Sequence, residues 1–485
     1  MNGSCLAMVD ADKIHDYVFS PHQLKLIRGG SAVQAEVNEK EILKLLGKEF
    51  GPGNLGPELE IREEPSLERN PSQRWEAIFA GGGTTLVEFR TVDDGRLFCR
   101  LAADEYRVKT VAGTATSAVA EWQGDFRTTL EEVQRALELN KSGRSELAFN
   151  GSAPYWKVCE ACGGHPATGT VREADGTEAA LCAACQVRRE NSARSPYLDE
   201  VARRANRKLT RPKSFEDLAK AARPENYLAM VYVDLDRLGR YLHKKGAGSK
   251  RQYRELSHKV GQTVRDGVIR GCAEVCRRIE AECAAFEILL IGGDDAMVML
   301  PAQGVIPFLE KFNEHFGSQF DDVWYSAGVM WAHAKYPIAQ FRQRAEELLR
   351  SAKGLEGVNS VDYMLATEAM VADLQEVRER ASGDGLERTT KPYSVGAFLE
   401  LENTIRQWKK EGVPSSKVQE LYRIAYEPWE QSLLDYWFLF SRLTKAQQEE
   451  FRTVFRWADG MWEPSPARRT QAADLAELWD MVEAR

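Results

Sequence analysis

The feature that most constrains this chain of 485 residues is an internal repeat. Two apolar runs end in the pattern Asp-x-Asp, Leu6–Asp12 and Leu228–Asp236. Each run is followed by helical sequence and then by two apolar segments joined by a glycine-rich turn, which is typical of a β-hairpin. The turns are Gly81–Thr84 and Gly292–Asp295. Because the order of elements is the same, the repeat predicts two copies of one α/β module.

Composition excludes several classes of protein. Apolar residues make up 43% and charged residues 28%, as in ordinary globular proteins rather than disordered or fibrous chains. A net charge of -8 argues against non-specific coating of nucleic acid, which requires many Lys and Arg on phosphates. The longest apolar runs are far shorter than the roughly 20 residues of a membrane span. Asp10, Asp12 and Lys13 stand where a signal peptide would be apolar. We therefore expect a soluble cytoplasmic protein with no membrane association.

The second copy carries the strongest candidate for a catalytic site. Its turn places Asp294 and Asp295 directly after Gly292 and Gly293, and Asp234 ends the preceding Asp-x-Asp strand. Glycines let a phosphate-bearing ligand approach the backbone, and carboxylates bind Mg²⁺ or Mn²⁺ for two-metal phosphoryl chemistry. Gly-Gly-Asp-Asp is also a favourable turn for conformational reasons alone. The matching strand in the repeat favours a site, whereas the first copy has no carboxylate in its turn.

Four of the nine cysteines form two C-x-x-C pairs between the copies. Their spacing predicts a closed tetrahedral zinc site with a structural role, formed by Cys159, Cys162, Cys182 and Cys185. The other five are interpreted as buried small hydrophobic residues.

Other segments have weaker signals. We interpret His15-Asp16 as part of a helix face, because a metal-dependent phosphohydrolase needs further His and Asp ligands that the chain lacks. Lys353 lies in the last turn of an amphipathic helix, where it suits the helix dipole and could contact phosphate. The basic stretch 187–213 is either a solvated helix face or an RNA contact. Six tryptophans lie in the helical tail, which suggests a core and a docking surface for a protein partner.

Together these motifs resemble the large polymerase/cyclase subunit of type III CRISPR effector complexes. No single motif is specific, but the resemblance covers most of the chain. The segments that carry it, besides the four cysteines, are 11–19, 28–31, 234–239, 292–295, 326–328, 333–338 and 391–393.

The resemblance implies an α+β fold with two ferredoxin-like palm domains, related to nucleotidyl cyclase and GGDEF domains. It places the first palm at 1–150, the zinc lobe and a basic linker at 151–224, the second palm at 225–381 and a C-terminal α-helical domain at 382–485. The implied activity is the polymerisation of ATP into cyclic oligoadenylates in antiviral defence, triggered by target RNA. The implied partners are ATP, RNA and other effector subunits, the macromolecules being bound through the C-terminal domain and the basic stretch.

The resemblance also implies roles for individual residues. Asp234 and Asp295 would hold the metal ions, Asp294 would assist, and Lys353 would contact the triphosphate of ATP. The remaining nucleotide-binding residues would be Gly292, Gly293, Leu235 and Asp236.

Some features depart from the family pattern. The chain begins at the first palm, so we expect no N-terminal HD nuclease, and a compact relative could act alone as a homo-oligomer. Leu235 and Arg237 replace the small or polar residues usual beside the family's Asp-x-Asp, which affects the base preference. Two other functions fit the sequence: a GGDEF-type cyclic dinucleotide synthase, and a catalytically silent RNA-binding scaffold. Asp295-Ala296 stands where the GGDEF class has Glu-Phe, and the retained carboxylates argue against a silent protein.

Overall fold

The computed structural model describes residues 3–143, 155–172, 176–194, 197–366, 373–457, 459–464 and 468–483. The chain packs as two compact units. The first unit comprises residues 1–198, 237–266 and 289–296, and the second comprises residues 199–236, 267–288 and 297–485.

The first palm has a four-stranded antiparallel sheet in the order β2-β3-β1-β4. Its strands are β1 (Cys5–Asp12), β2 (Trp75–Gly81), β3 (Thr84–Phe89) and β4 (Thr114–Glu121). Its helices are α1 (Ile14–Phe19), α2 (Leu24–Glu36), α3 (Ile42–Phe50), α4 (Val92–Thr110) and α5 (Phe126–Ser142), with a π-helical segment at Val37–Glu41. The order of strands and helices is that of a ferredoxin-like fold.

Period-two alternation along β1 explains how this sheet is covered on both faces. Cys5, Ala7 and Val9 point into one apolar cluster, which includes Phe98 of α4. Leu6 and Met8 point into the opposite cluster, which includes α5. Because successive side chains of a strand lie on opposite faces, a continuous apolar run is required when both faces are buried.

The zinc lobe follows the first palm and is built on a two-stranded hairpin. Its elements are β5 (Gly169–Arg172), β6 (Glu178–Leu181) and α6 (Ala183–Asn191). Two further helices lead to the second palm, α7 (Tyr197–Ala205) and α8 (Phe215–Ala219).

The second palm contains a six-stranded sheet in the order β14-β11-β10-β7-β9-β8. Its strands are β7 (Tyr227–Leu235), β8 (Glu287–Ile291), β9 (Asp295–Pro301), β10 (Tyr325–His333), β11 (Ser360–Leu365) and β14 (Tyr393–Ser394). Its helices are α9 (Leu238–Tyr241), α10 (Lys250–Arg278), α11 (Val305–Gly317) and α12 (Ile338–Ala352), with a π-helical segment at Leu242–Gly246 and a 3₁₀ turn at Ala302–Gly304. The order β8-β9-β7-β10 repeats the order β2-β3-β1-β4, so the predicted duplication is present in the sheet topology.

The C-terminal region is mainly helical, as predicted. Its helices are α13 (Leu374–Ala381), α14 (Val395–Lys410), α15 (Ser415–Ala425), α16 (Trp429–Ser441), α17 (Lys445–Val454) and α18 (Ala472–Leu478), followed by a 3₁₀ turn at Trp479–Met481. Sequence analysis did not predict the three short strands of this region, β12 (Ser382–Gly383), β13 (Leu386–Glu387) and β15 (Arg468–Arg469). Two-residue strands are too short to show a period in sequence.

Aromatic packing accounts for the tryptophans of this region. The ring of Trp408 stacks on Phe451 with 4.3 Å between centroids, and Trp462 is fully buried. The predicted α+β architecture, with a helical C-terminal region, is therefore confirmed. Among the described residues, no helix has both the length and the apolar character that a membrane span requires.

Candidate active site

The carboxylate of Asp234, at the end of β7, forms an ion pair with the ammonium group of Lys353. Lys353 follows the last residue of α12, and its side chain is 38% exposed while that of Asp234 is 19% exposed. The structure therefore brings together two residues that were predicted separately, from a strand end and from a helix end. A lysine in this place can bind either the carboxylate or an incoming phosphate group.

The helix that carries Lys353 is held close to the sheet by Gly328 of β10. A Cβ atom at Gly328 would lie 2.0 Å from the carbonyl oxygen of Ala345, in the middle of α12. Only glycine permits this approach, since real Cβ atoms do not come so near to a backbone oxygen. The position of Lys353 therefore depends on a residue with no side chain.

The second carboxylate of the Asp-x-Asp strand has a different environment. Asp236 accepts hydrogen bonds from the hydroxyl group of Ser326 at 2.8 and 3.0 Å. Ser326 lies on β10, where the register places it opposite Asp234. Leu235, between the two aspartates, is only 2% exposed, so its side chain packs in the core. Asp236 is thus oriented by a protein hydroxyl group, whereas Asp234 is paired with a cation.

The Gly-Gly-Asp-Asp turn joins β8 to β9. The amide of Gly292 donates to the carbonyl of Asp295 at 2.8 Å, and Gly293 has a φ of 95°, which favours glycine. A Cβ atom at Gly292 would lie 2.1 Å from Oδ1 of Asp295, so glycine leaves room for that carboxylate to fold over the turn. Asp294 and Asp295 are both partly buried.

A histidine that the sequence did not assign to the site contacts this turn. Nε2 of His15 lies 3.2 Å from Oδ2 of Asp295, and the two side chains are 26% and 14% exposed. Both residues belong to the first unit, together with the turns at Gly82 and Gly293. These turns approach closely, because a Cβ atom at Gly293 would lie 3.3 Å from Cα of Gly82. His15 therefore lies beside a predicted metal ligand.

The first palm keeps most of this arrangement but lacks the acidic turn. Asp10 is hydrogen-bonded to Thr84 and paired with Lys141 of α5. Asp12 accepts hydrogen bonds from Thr116 at 2.7 Å and from Thr114 at 3.0 Å. A carboxylate with a lysine and a second carboxylate with a hydroxyl group thus occur in both palms.

The register identifies the residues that correspond between the palms. Thr84 is the β3 partner of Asp10. With the same strand order in both sheets, Thr84 corresponds to Asp295, and Lys141 corresponds to Lys353. The first palm has therefore kept the lysine while it lacks a carboxylate in the turn.

The four cysteines of the zinc lobe form a compact cluster. Their sulfur atoms all lie within 4.8 Å of one another, and those of Cys162 and Cys182 are 3.8 Å apart. Sulfur atoms bound to zinc at about 2.3 Å in a tetrahedron are separated by about 3.8 Å, so the cluster fits this ion. Hydrogen bonds within the cluster lower the pKa of the Cys162 thiol and raise the pKa of the Cys182 and Cys185 thiols, so these side chains interact with one another.

Arg188 links the cysteine cluster to the first palm. Its guanidinium group donates to the sulfur of Cys185 at 3.4 Å and to the carbonyl oxygen of Tyr17 at 2.8 Å, and it stacks on the Tyr17 ring. Gly29 of α2 allows α6 to approach, because a Cβ atom there would lie 1.7 Å from the carbonyl oxygen of Arg188. Arg188 belongs to the basic stretch 187–213, so at least one charged side chain of that stretch is buried and has a structural role.

The remainder of the basic stretch is mixed. Arg207 donates to the carbonyl oxygen of Ile279 at 3.0 Å, whereas Arg194, Arg203 and Lys208 are exposed.

In the C-terminal region, α16 presents an exposed apolar face. Its residues are Leu434, Trp437 and Phe438, exposed by 66%, 44% and 60%.

Sequence reasoning missed three residues that take part in these contacts: His15, Lys141 and the hydroxyl function of Ser326. Lys141 could have been found from the repeat, because it lies near the end of the helix after β4, as Lys353 lies at the end of the helix after β10. His15 had no such signal.

Comparison with known proteins finds sequence similarity over part of the chain and a similar fold over all of it. Residues 227–362 match the family model described as Cas10/Cmr2, second palm domain. The CRISPR system Cmr subunit Cmr2 of Pyrococcus furiosus is 26% identical over 164 residues, which cover 28% of this chain and 18% of that protein. The match thus spans less than a fifth of that relative.

Solved structures resemble the whole chain. A Csm1–Csm4 cassette in complex with cA4 has a TM-score of 0.60 at 14% identity, over 100% of this chain and 70% of that chain. The cassette in complex with AMPPNP gives a TM-score of 0.59 at 14% identity, over 99% of this chain and 70% of that chain. Csm1 of T. onnurineus has a TM-score of 0.58 at 14% identity, over 100% of this chain and 70% of that chain. At this level of identity, the likeness shows a common fold.

Proposed function

Because residues 227–362 match the family model described as Cas10/Cmr2, second palm domain, we propose that this protein is a nucleotidyltransferase that makes cyclic oligoadenylates from ATP. The observation that carries the proposal is an asymmetry between the two palms. Both pair a strand-end aspartate with a lysine, but only the second palm has carboxylates in its glycine turn. An asymmetric pair of this kind suits one palm that performs the chemistry and one that helps to hold substrate.

Asp234 and Asp295 would hold Mg²⁺ or Mn²⁺, with Asp294 assisting. Carboxylate oxygens are the ligands that these hard cations prefer. Because Gly292 lacks a Cβ atom, the carboxylate of Asp295 can lie close to the backbone of the turn. The ions would promote attack by a 3′-hydroxyl group and neutralise charge on the phosphate undergoing transfer.

The residues of the chain would position the nucleotide. Lys353 would exchange its ion pair with Asp234 for the triphosphate, and Gly292 and Gly293 would allow the phosphates to lie against the turn. Leu235 and Asp236 would complete the nucleotide site, Leu235 through its backbone, because its side chain is buried. The 3′-hydroxyl oxygen of an acceptor ATP would attack the α-phosphorus of a donor ATP in line, its proton would pass to water, and the bond to the leaving pyrophosphate would break. Catalysis is then mainly positioning and electrostatic stabilisation.

The first palm would hold part of the acceptor ATP. Lys141 pairs with Asp10 as Lys353 pairs with Asp234, so the first palm offers an equivalent ammonium group to a triphosphate. Thr84 cannot replace a carboxylate as a strong metal ligand. We therefore assign substrate binding, without metal binding, to this palm.

The partners proposed are RNA and other subunits of an effector complex. The solved Csm1 structures include a cassette with Csm4, which makes assembly with other subunits a reasonable model for this chain. Leu434, Trp437 and Phe438 lie three and four residues apart on α16, so they share one exposed face. We propose this face for a protein partner and the exposed basic residues of 187–213 for RNA. A protein that works alone would instead use the apolar face between its own copies.

The experiment is product analysis with each NTP, with Mg²⁺ or Mn²⁺, and with and without RNA. Wild type should yield oligoadenylates, and the variant Asp294→Ala/Asp295→Ala should yield none. The acidic pair Asp104 and Glu105 of α4 is 57% and 29% exposed and forms ion pairs with Arg107 and Lys109 of the same helix, so Asp104→Ala/Glu105→Ala is a matched control.

Other outcomes would contradict the proposal in distinct ways. A guanine-containing dinucleotide would indicate a GGDEF-type synthase. If no product formed under any condition, although the protein was folded, contained zinc and had effector subunits added, the result would indicate a scaffold.

A further inference from the structure

We propose that His15 is a positioning residue for Asp295, so that the first palm helps to build the metal site of the second. The inference rests on the proposed function, because it requires Asp295 to be a metal ligand. It begins from the contact of 3.2 Å between Nε2 of His15 and Oδ2 of Asp295. An ionised carboxylate only accepts hydrogen bonds, so Nε2 must carry the donated proton.

The short helix that carries His15 is fixed at both ends. At its start, Ile14 packs against Gly83, where a Cβ atom would lie 2.6 Å from Cδ1 of Ile14. Near its end, the Tyr17 hydroxyl group donates to Thr110 at 3.2 Å, and the Tyr17 carbonyl accepts from Arg188 at 2.8 Å. His15 lies between these anchors, and its imidazole therefore has a defined place beside the turn. A fixed donor of this kind is what orients a metal-ligating carboxylate.

The repeat supplies a second observation. Lys13 and Arg237 hold the same place after the Asp-x-Asp strands, and both have a positive φ, of 48° and 53°. Counting two residues onward, His15 of the first palm corresponds to Gly239 of the second.

Two pairs of corresponding residues can therefore be compared: His15 with Asp295, and Gly239 with Thr84. The turn that has a carboxylate, at Asp295, is contacted by a histidine. The corresponding turn has Thr84, and the residue corresponding to the histidine is Gly239, which has no side chain to donate. A purely structural bridge between turns would not require an imidazole on the one side that carries the metal ligand. The pairing favours a role for His15 in orienting Asp295.

Oriented in this way, Asp295 is constrained at both oxygens. Oδ2 contacts His15, and Oδ1 lies over Gly292, where it occupies the space that a Cβ atom would otherwise fill. Loss of His15 should therefore weaken cation binding while leaving the reaction intact once the site is filled. Removal of an outer partner of a metal ligand typically weakens metal affinity by about 10- to 100-fold.

The test measures Mn²⁺ binding rather than product. The full chain is titrated with Mn²⁺ in the presence of an ATP analogue whose α,β-bridge cannot be cleaved, and free Mn²⁺ is followed by electron paramagnetic resonance. We expect His15→Ala to weaken binding about tenfold and His15→Gln, which keeps a donor, to restore most of it. His22→Ala, which changes an exposed histidine of the same unit, should bind like wild type.

Asp295→Asn separates this inference from the proposed function. If Asp295→Asn loses Mn²⁺ and His15→Ala does not, the positioning role is wrong while the metal site stands. If Asp295→Asn binds Mn²⁺ like wild type, the proposed metal site itself is wrong. A ¹⁴N coupling typical of directly bound imidazole in wild type would make His15 a ligand and would also overturn the inference. In kinetics, excess Mn²⁺ should restore the kcat of His15→Ala, which a general loss of structure would not permit.

Discussion

A buried cluster of charges in the first unit can be tested by a single substitution. Lys250, the first residue of α10, donates to Glu88 at 2.8 Å and to Glu76 at 3.0 Å. Arg254, one turn later, donates to Glu76 at 2.9 Å. The side chains of Lys250, Glu88 and Glu76 are 13%, 10% and 3% exposed. A cation at a helix N-terminus is disfavoured by the helix dipole, so the two carboxylates must stabilise it there.

We expect Lys250→Met to destabilise the first unit by about 3 kcal/mol. Removing one member of a buried ion pair typically costs roughly 3–5 kcal/mol, because the remaining charge stays desolvated. The lower end applies here, since Arg254 still neutralises Glu76. The cost in stability then comes mainly from Glu88, whose buried carboxylate loses the ammonium group of Lys250 as its partner.

The effect should depend on pH in a defined direction. Burial raises the pKa of Glu88, and the charge of Lys250 opposes this rise. Without Lys250, the pKa of Glu88 rises further above its value in the unfolded chain, so the folded state binds the proton more strongly. Stability is then lost as the pH rises through the folded-state pKa and is regained below it. We expect a larger destabilisation at mildly alkaline than at mildly acidic pH.

The measurement is native-state hydrogen exchange of the β2 and β3 amides. Lys44→Met is the control, because Lys44 is 54% exposed and pairs with Glu41 on the surface, where a pair contributes less than about 1 kcal/mol. Lys250→Met/Glu88→Leu should recover most of the lost stability, since it removes the stranded charge. If Lys250→Met is no more destabilising than Lys44→Met, the cluster does not hold these elements together.

The remaining predictions concern the second palm, the zinc lobe and the first palm. Gly328→Ala should destabilise the second unit by about 2 kcal/mol through overpacking against α12 and weaken binding of an ATP analogue, as measured by urea unfolding and by titration; unchanged binding would contradict the role of that close approach. Cys182→Ser should reduce zinc from one ion per chain to a small fraction, as measured by mass spectrometry, whereas Cys283→Ser, outside the cluster, should retain it. Lys141→Met should raise the KM for ATP, whereas Lys109→Met, which changes a surface residue, should not. If the two variants had the same KM for ATP, triphosphate binding would be confined to the second palm.

The repeat and the cysteine spacing were sufficient to predict the architecture. The Asp-x-Asp strands and glycine turns lie within each palm as expected, and the four sulfur atoms converge. The comparisons confirm the resemblance to the large subunit of type III CRISPR effectors. These features are predictable because each depends on local patterns, such as strand periodicity, turn chemistry and ligand spacing.

Contacts made by residues distant in sequence could not be predicted in this way. His15 and Asp295 are separated by 280 residues, and nothing local to either indicates the other. The sequence led us to interpret His15 as part of a helix face, and only the packing of α1 shows what that face contacts. Arg188 was likewise part of a basic run, yet the residue is only 2% exposed. Long-range packing, rather than residue type, decided both outcomes.

Under the proposed function, the ion pair between Asp234 and Lys353 would couple the binding of the cation to the binding of the nucleotide. A divalent cation that binds Asp234 displaces an ammonium group, and the displaced ammonium group needs an anion nearby. A nucleotide triphosphate supplies this anion, so cation and nucleotide are best accepted together, as a single complex. A site loaded in this way would bind the cation more tightly in the presence of nucleotide than in its absence.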